Sequence, residues 1–457
     1  MIQIEPNVNK TKLNVVNKYI VEAKLPKLVD IGSRNLHVVH NGFGKGLETE
    51  AKNLCLELYL WFKCSAARKE YFKSVQIELD LDKNFILRHV SCRWLSLQPA
   101  IARILEQWDA IVKYFTELPL QDKTVEKNEK YKLIRGLLDK PLTLVQLRFL
   151  LNVAPIFTKF LTTFQQEGPL VHVLHSELSN LVRMLMLRFV RAEAVGAKCG
   201  KQLKEIDLKK AENLRTLEDF DLGETTRQSL AKIKQEKHKA ILLDMRNFYI
   251  TTADYLRTKL PLSNALFEDL ACLSPSARSQ PCEQSFCRLA KALPHVVCPD
   301  EISTATDEWK LYSLDVNILL EWQYEETIGK EKGALSPVDK YWLKVLGLKN
   351  SVGVLKYGCL AVVVKACLSL PHGNADVERS FSANKRVVVT ERASLDEDTI
   401  CALRIVKEAI RIQADGIVSS NIVTPHLLSF ARSVYSSQRS TEQEENCRSA
   451  GLEEKGS

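Results

Sequence analysis

The sequence predicts a mostly α chain with a small α/β part, and three observations carry that expectation. Gly and Pro together supply 33 of the 457 residues, about 7% against a usual combined share of roughly 12%. Hydrophobic residues make up 45% of the chain, enough for a real core, and at roughly 150 residues per domain the length allows two or three folded units. Apolar residues recur mostly at three- and four-residue intervals, which draws one face of a helix, while segments of strand character are few and short.

Taken in order, residues 1–46 are short and mixed. A small helical stretch around Val15 to Leu25 precedes LPKLVDIGSRNLHVVHNGFGKG, whose apolar character suits a short buried strand or turn feeding a helix, punctuated by Gly42, Gly44 and Gly46. From Leu47, Ala51, Leu54, Cys55, Leu58, Trp61 and Phe62 lie on one helical face, and a second short helix follows through Tyr71, Phe72, Val75 and Leu79. FILRHV is short, half β-branched or aromatic, and bounded by Asp and Asn, so NFILRHVSCRWLSLQ reads as a brief strand entering a turn.

Pro99 suits a first helical turn, and Ile101, Ile104, Leu105, Trp108, Ile111, Val112 and Phe115 follow on one face as a single helix. A charged linker, QDKTVEKNEK, separates it from two apolar helices, about 142–166 with a break or kink at Pro155 and about 169–195. Residues 201–240 interleave both charge signs and read as a solvated helix pair; 241–272 is helical again. Ser274 to Asp307 has little periodicity and reads as a loop. Helices are expected from about Glu308 to Gln323 and Pro337 to Leu348, and residues 351–413 form a closing unit: an apolar run, a turn at LPHGNADVE, helical SFSANKRVVV and a helix from about Asp396 to Ala414. The polar end, SSQRSTEQEENCRSAGLEEKGS, has no core-forming pattern and is expected to be disordered. No internal repeat is evident.

Charge and cysteine usage narrow the classes. Lys and Arg number 64 against 56 Asp and Glu, a formal +8, which permits a nucleic-acid partner without demanding one. The twelve cysteines show no CxxC and several fall in apolar helical patterns, as reduced thiols do in an intracellular protein. The first residues lack a secretory pattern. The longest apolar run, Cys359 to Leu370, is about twelve residues and carries Lys365, short of the ~20 needed to span a bilayer, so no membrane association is expected.

The richest segment is SLPHGNADVERSFSANKRVVVTERASLDEDTICALRIVKEAI. Read alone, it is an amphipathic helix start with Asn374 as cap and Glu378 in the first turns, where the helix dipole favours an acid. Its Asn374, Ala375, Glu378, Arg379, Phe381, Ser382, Arg392 and Leu395 resemble the C-terminal signature of hAT-family transposases. SCRWLSL is similar to that family's T/C-R-W-x-S element, so the resemblance gives Arg93 and Trp94 a role in stacking a displaced base, an interaction worth ~1–3 kcal/mol; read alone, Trp94 is a core aromatic. SRNLHVVHNGFGKG resembles the family's C-x-x-H region, with Arg34 in place of the Cys and with His37, His40 and Asn41 fitting. No carboxylate or Cys completes a zinc site at ligand spacing. His172 and His175, equally spaced in an apolar helix, read as packed, hydrogen-bonded residues.

The resemblance implies a truncated RNase H-like core interrupted by a large all-helical insertion. Residues 1–98 would be the N-terminally truncated RNase H-like part and 99–345 the insertion. Residues 346–415 would be the dimerisation region with the end of the core, and 416–457 a short helix and polar tail. Active relatives of this kind hold two Mg²⁺ or Mn²⁺ ions on Asp, Asp and Glu, because paired cations activate the attacking oxygen and stabilise the leaving one. Glu378 matches the third acid, as a vestige. QIEPNVNK resembles the segment carrying the second, but Ile4 stands at the acid's place and Glu5 one residue along, which in an extended segment faces the other way. The first acid and the first three strands would precede residue 1.

The expectation is therefore a degenerate, catalytically inactive, nuclear (otherwise cytoplasmic) transposase-like protein with no bound cofactor. It would act by self-association through Val377, Phe381, Leu395, Ile400, Leu403 and Ile405. Weak DNA contact would come from Lys45, Lys52, Lys63, Arg68, Lys69 and Lys73, although Glu48, Glu50, Glu57 and Glu70 leave a local excess of only two positive charges, and such binding falls steeply with salt. The same residues also read as a solvated helix face. An active transposase with a displaced acid, and a non-functional transposon fragment, are the alternatives.

Overall fold

The structure is a computed structural model, describing residues 35–46, 50–89, 96–166, 168–294, 296–318, 338–373, 375–389 and 395–413, with Pro425 and Ser429. The first expected helix, the QIEPNVNK segment with Ile4 and Glu5, Arg93, Trp94 and the polar end lie outside the described residues. By packing the chain divides into two compact units, Met1–Asp376 and Val377–Ser457.

Among its described residues the first unit is mainly helical. Helices α1 (Asn35–Gly46), α2 (Glu50–Lys63) and α3 (Ala66–Glu78) are followed by α4 (Leu97–Glu106), α5 (Trp108–Gln121), α6 (Glu129–Leu138), α7 (Pro141–Thr163) and α8 (Val171–Met186). Short turns then lead to α9 (Glu224–Leu230), α10 (His238–Lys259), α11 (Glu283–Lys291), α12 (Pro299–Leu314), α13 (Val338–Leu346) and α14 (Gly358–Leu368). The second unit holds α15, from Ala375 across the boundary to Val387, and α16 (Glu397–Gln413). The face expected for α2 is buried residue by residue, from Ala51 to Phe62. One continuous core, from Val39 to Leu370, joins the helices of the first unit.

Several expectations are corrected. Among the described residues there is no β-strand, only the isolated bridges Val190 with Leu214 and Lys349 with Leu355. The expected strand from Phe85 is irregular up to His89, because its carbonyls go to side chains rather than to another strand: Gln76 Nε2 donates to Asn84 O at 2.8 Å and Arg103 Nη1 to Phe85 O at 3.1 Å. Residues 35–46, expected as strand or turn, form α1. Its glycines are contact points, since a Cβ at Gly42 would meet Leu256 Cδ2 at 2.6 Å and one at Gly46 would meet Phe248 Cδ2 at 2.4 Å, and α1 packs on α10.

The helix expected from Pro99 is two helices, broken at Gln107 (φ −101°, ψ 15°). That residue is fully buried, and its Oε1 accepts from Gln76 Nε2 at 2.7 Å, a polar bond whose geometry overrides helical continuity. The charged linker contributes a turn of 3-10 helix with Val125 buried, then α6. Residues 201–240 are not a helix pair. They are turns around short helical pieces, α9 among them, that bury Leu203, Phe220 and Leu222 while arginines hold turn carbonyls, Arg257 Nη2 on Ile206 O at 2.6 Å and Arg227 Nη2 on Phe220 O at 2.6 Å. The expected loop at 274–307 contains α11, which buries Phe286 and Leu289, and the start of α12, which opens on Pro299 with Glu301 Oε2 accepting from Cys298 N at 3.1 Å. Consequently α12 begins and ends earlier than the helix expected from Glu308.

The α7 helix runs through Pro155 without interruption in its helical assignment, and α8 ends at Met186, short of 195. At 23 residues α7 is long and apolar enough to cross a membrane by length and composition, although Arg148 and Lys159 interrupt its apolar sequence. Here it packs against α1, α2, α4, α6, α8 and α9, and its Arg148 donates to Ser229 Oγ on α9.

Candidate self-association surface

The scaffold of the candidate surface is an aromatic cluster in the first unit. Phe286 on α11 stacks on Trp309 on α12, with centroids 4.4 Å apart and planes at 12°. Trp342 on α13 lies 4.9 Å from Tyr312 and donates its Nε1 to Leu273 O at 3.0 Å. The hydroxyls of Tyr312 and Tyr341 share a bond of 2.9 Å. All five rings are buried, and burial raises the Tyr312 phenol far above its ordinary pKa, with Tyr341 adding to the effect. Indole and phenol groups need such partners once removed from water.

Beyond α12 the chain turns at Asp315, which is 6% exposed. Burial alone would raise its pKa, but bonds from Lys356 and Tyr357, and from the Asn317 amide, outweigh that cost and hold it at about 2. Lys356 Nζ sits 2.6 Å from Oδ2, the Tyr357 hydroxyl donates to the same oxygen, and Asn317 N and Nδ2 reach Oδ1 at 3.0 and 2.9 Å. This clasp fixes the base of a loop, residues 349–355, in which every residue is exposed. The loop is nonetheless well bonded: Asn350 Oδ1 accepts from Val352 N at 3.1 Å and Val354 N at 3.0 Å, and Asn350 N donates to Val354 O at 2.8 Å. Gly353 takes φ +82°, a conformation glycine adopts without Cβ strain. The result displays Val352, Val354 and Leu355 at 81%, 62% and 53% exposure. Neither this loop nor the clasp was foreseen from the sequence. Asn350 followed by Gly353 is a turn signal, but nothing in it connects Lys356 to Asp315.

In the second unit, Arg404 Nη2 on α16 donates to Ser380 Oγ on α15 at 2.8 Å. Asp396 caps α16 by accepting from Thr399 N at 2.6 Å, a bond that lowers its pKa. Of the residues expected to mediate self-association, Phe381, Leu403 and Ile405 are exposed, while Leu395 and Ile400 are half-buried. The side chain of Val377 lies outside the described residues. Val388, Val389 and Val406, which were not singled out, are exposed as well.

The remaining candidates are dispersed. Glu378 is exposed on α15. Arg68 lies 3.7 Å above the ring of Trp61 and donates Nη1 to Trp61 O at 3.1 Å, which uses its guanidinium within the fold. Lys69 Nζ is 6.0 Å from the Phe85 ring. Lys45 is exposed at the end of α1, beside a cleft of about 350 Å³ bordered by α7 and α10. His40 is pushed down to about 4 by burial and by His37 and His89, and His89 to about 4 by burial and Lys52. His172 and His175 are buried as expected, and His175 Nε2 lies 3.3 Å from Leu262 O. Among the described residues no three His, Cys, Asp or Glu side chains are grouped to hold a metal ion.

Residues 342–410 match the family model of the hAT family C-terminal dimerisation region. The match starts at Trp342 in the aromatic cluster and ends inside α16, so it includes the exposed loop and parts of both units. It includes Asn374 to Leu395, from which the resemblance was drawn, so the likeness of this region to the hAT dimerisation region stands. No curated protein matches the chain.

Proposed function

We propose that this chain is a catalytically inactive, hAT-transposase-derived protein that works by self-association, with weak DNA contact as a secondary property, in the nucleus. The observation that carries the reading is the coincidence of the matched region with exposed apolar surface. About half of the large apolar side chains exposed among the described residues fall within 342–410, among them Leu343, Val352, Phe381, Leu403 and Ile405. Exposed apolar patches mark association surfaces, and within the first unit Val352, Val354 and Leu355 share one exposed loop.

Inactivity rests on donor chemistry. Two divalent cations need converging carboxylates, and Ile4 offers none where the family places its second acid. The RNase H-like core belongs to the same proposal. The test is a nicking and strand-transfer assay on supercoiled plasmid with Mg²⁺ or Mn²⁺, run beside a Glu378→Gln variant. Wild type and variant should both leave the plasmid intact. Cleavage by wild type that disappears in Glu378→Gln would establish the active-enzyme alternative.

A further inference from the structure

We propose that Lys232, Lys234, Lys237 and Lys239 form a fixed cationic comb that grips the phosphate backbone of duplex DNA. The inference deepens the secondary part of the proposed function, DNA contact, and rests on it. It moves that contact to the turn between α9 and α10.

Local charge singles the comb out. Between Thr225 and Leu243 the cations are Arg227 and these four lysines, against Glu236 alone, with Asp244 next along the chain. Arg227 is used on Phe220 O. The four lysines are exposed, and among the described residues none makes an ion pair or a hydrogen bond through its ammonium group. The basic run that precedes them differs. There Lys198 Nζ donates to Ala194 O at 2.5 Å, Lys210 lies 3.7 Å from Glu212, Lys204 is half-buried, and Glu205 and Asp207 are interleaved. Of the cations expected to meet DNA, Arg68 is held on Trp61.

The lysines are also fixed in place. Ile233 N donates to Leu230 O at 2.9 Å, Lys237 N donates to Lys234 O at 3.0 Å, and His238 Nε2 lies 2.8 Å from Ile233 O. The turn is therefore tied before any ligand arrives, which lowers the ordering cost of binding. Like charges kept this close repel one another. They flank the start of α10, whose first turn holds no acid and whose dipole adds positive charge of its own. Such a concentration opposes folding, and a polyanion relieves it.

Surface chemistry selects the occupant. Protein partners anchor on large apolar side chains, and insertion into a membrane surface needs them too. Among the described residues no large apolar side chain is exposed between Met184 and Val296. Phosphate oxygens require only charge and donors. The comb has no aromatic residue to stack on a base, so the contact is independent of sequence. Lys232 and Lys239 are at most about 25 Å apart even on a fully extended chain, and duplex DNA carries a charge every ~1.7 Å, so all four lysines reach one duplex together. With Glu236 offsetting one of them, three to four phosphates are neutralised. The slope of log K against log salt is then between about −2.7 and −3.6.

The experiment is fluorescence anisotropy of a labelled duplex of about 20 base pairs, titrated with the full chain between about 50 and 200 mM salt. One variant changes the four comb lysines to Gln and a second changes them to Arg. A control with the same loss of charge combines Lys123→Gln, Lys127→Gln, Lys130→Gln and Lys132→Gln, all exposed. Wild type and the Arg variant should bind alike with the slope given. The Gln comb variant should bind at least about tenfold more weakly at the lowest salt, with a slope flattened by about three, and the control should follow wild type. If wild type binds and the Gln comb variant binds equally well, the comb is refuted while DNA contact stands elsewhere. An equal loss in the control assigns binding to net charge alone and also refutes the comb, as does failure of the Arg variant. Labelled poly-glutamate bound as tightly as the duplex would make the partner an acidic protein and overturn the proposal. A wild type that leaves the duplex free at the lowest salt removes the comb and DNA contact together, and leaves self-association untouched.

Discussion

Replacing Asp315 by Asn tests whether the clasp beneath the exposed loop stabilises the fold. The side chain is 2% exposed, so its carboxylate has exchanged hydration for Lys356, Tyr357 and the Asn317 amides. Its pKa of about 2 against an ordinary 3.8 corresponds to about 2 kcal/mol at neutral pH, at ~1.4 kcal/mol per pH unit. Because the folded-state pKa is the lower one, that contribution is complete above about pH 4 and disappears as the pH falls through about 2. The Asn variant should therefore be less stable than wild type by about 2 kcal/mol at pH 7, with the difference closing towards pH 2. Urea unfolding followed by tryptophan fluorescence reads this, since Trp309 and Trp342 lie in the adjoining cluster. Lys310→Met is the control: its contacts with Glu283 and Asp307 are solvent-exposed, and such pairs contribute within ~1 kcal/mol. Equal midpoints for wild type and Asp315→Asn at pH 7, or a difference that widens as the pH drops from 4 to 2, would refute the reasoning.

Two further predictions concern the body of the first unit. His172 is 4% exposed, and burial, with His372 nearby, pushes its pKa to about 4 from an ordinary 6.5. The unfolded chain then takes up a proton that the folded one refuses, so stability should fall by about 3 kcal/mol between pH 6.5 and pH 4, with His40 and His89 acting in the same direction. His172→Gln should flatten that slope in acid titrations at fixed urea; an unchanged slope would show that this imidazole is not buried in its neutral form. The glycines of α1 and α6 should respond with opposite signs. Gly42→Val forces a Cβ against Leu256 and should cost about 1–3 kcal/mol, whereas Gly136→Ala, which meets nothing within 4 Å inside α6, should gain about 0.5–1 kcal/mol. Thermal unfolding of both variants checks the pair.

Where helical periodicity was strong, the elements were legible: the buried face of α2, and the existence of α3, α7 and α10, follow from apolar spacing. Periodicity failed where a residue's role is set by something distant in sequence. Gln107 looks like any polar position on a continuous helix until Gln76, 31 residues earlier, binds its carboxamide. Gly42 and Gly46 look like turn residues until α10 arrives. Mixed charges in 201–240 concealed Leu203, Phe220 and Leu222 because the arginines that bond the turn carbonyls carry the same letters as solvated ones. The candidate surface was half legible, since Phe381, Leu403 and Ile405 could be chosen from the signature alone, but the loop bearing Val352 and Val354 could not.

The sequence by itself determined that the chain is mostly helical and that its residues around 370–410 resemble the hAT C-terminal region, because local spacing and motif order are written along one dimension. Tertiary structure alone decided that Asp315 meets Lys356 across 41 residues, that an aromatic cluster supports them, and that three apolar side chains are held out in solvent. A carboxylate's burial and a valine's exposure depend on which neighbours pack against each, and no stretch of sequence contains its own neighbours.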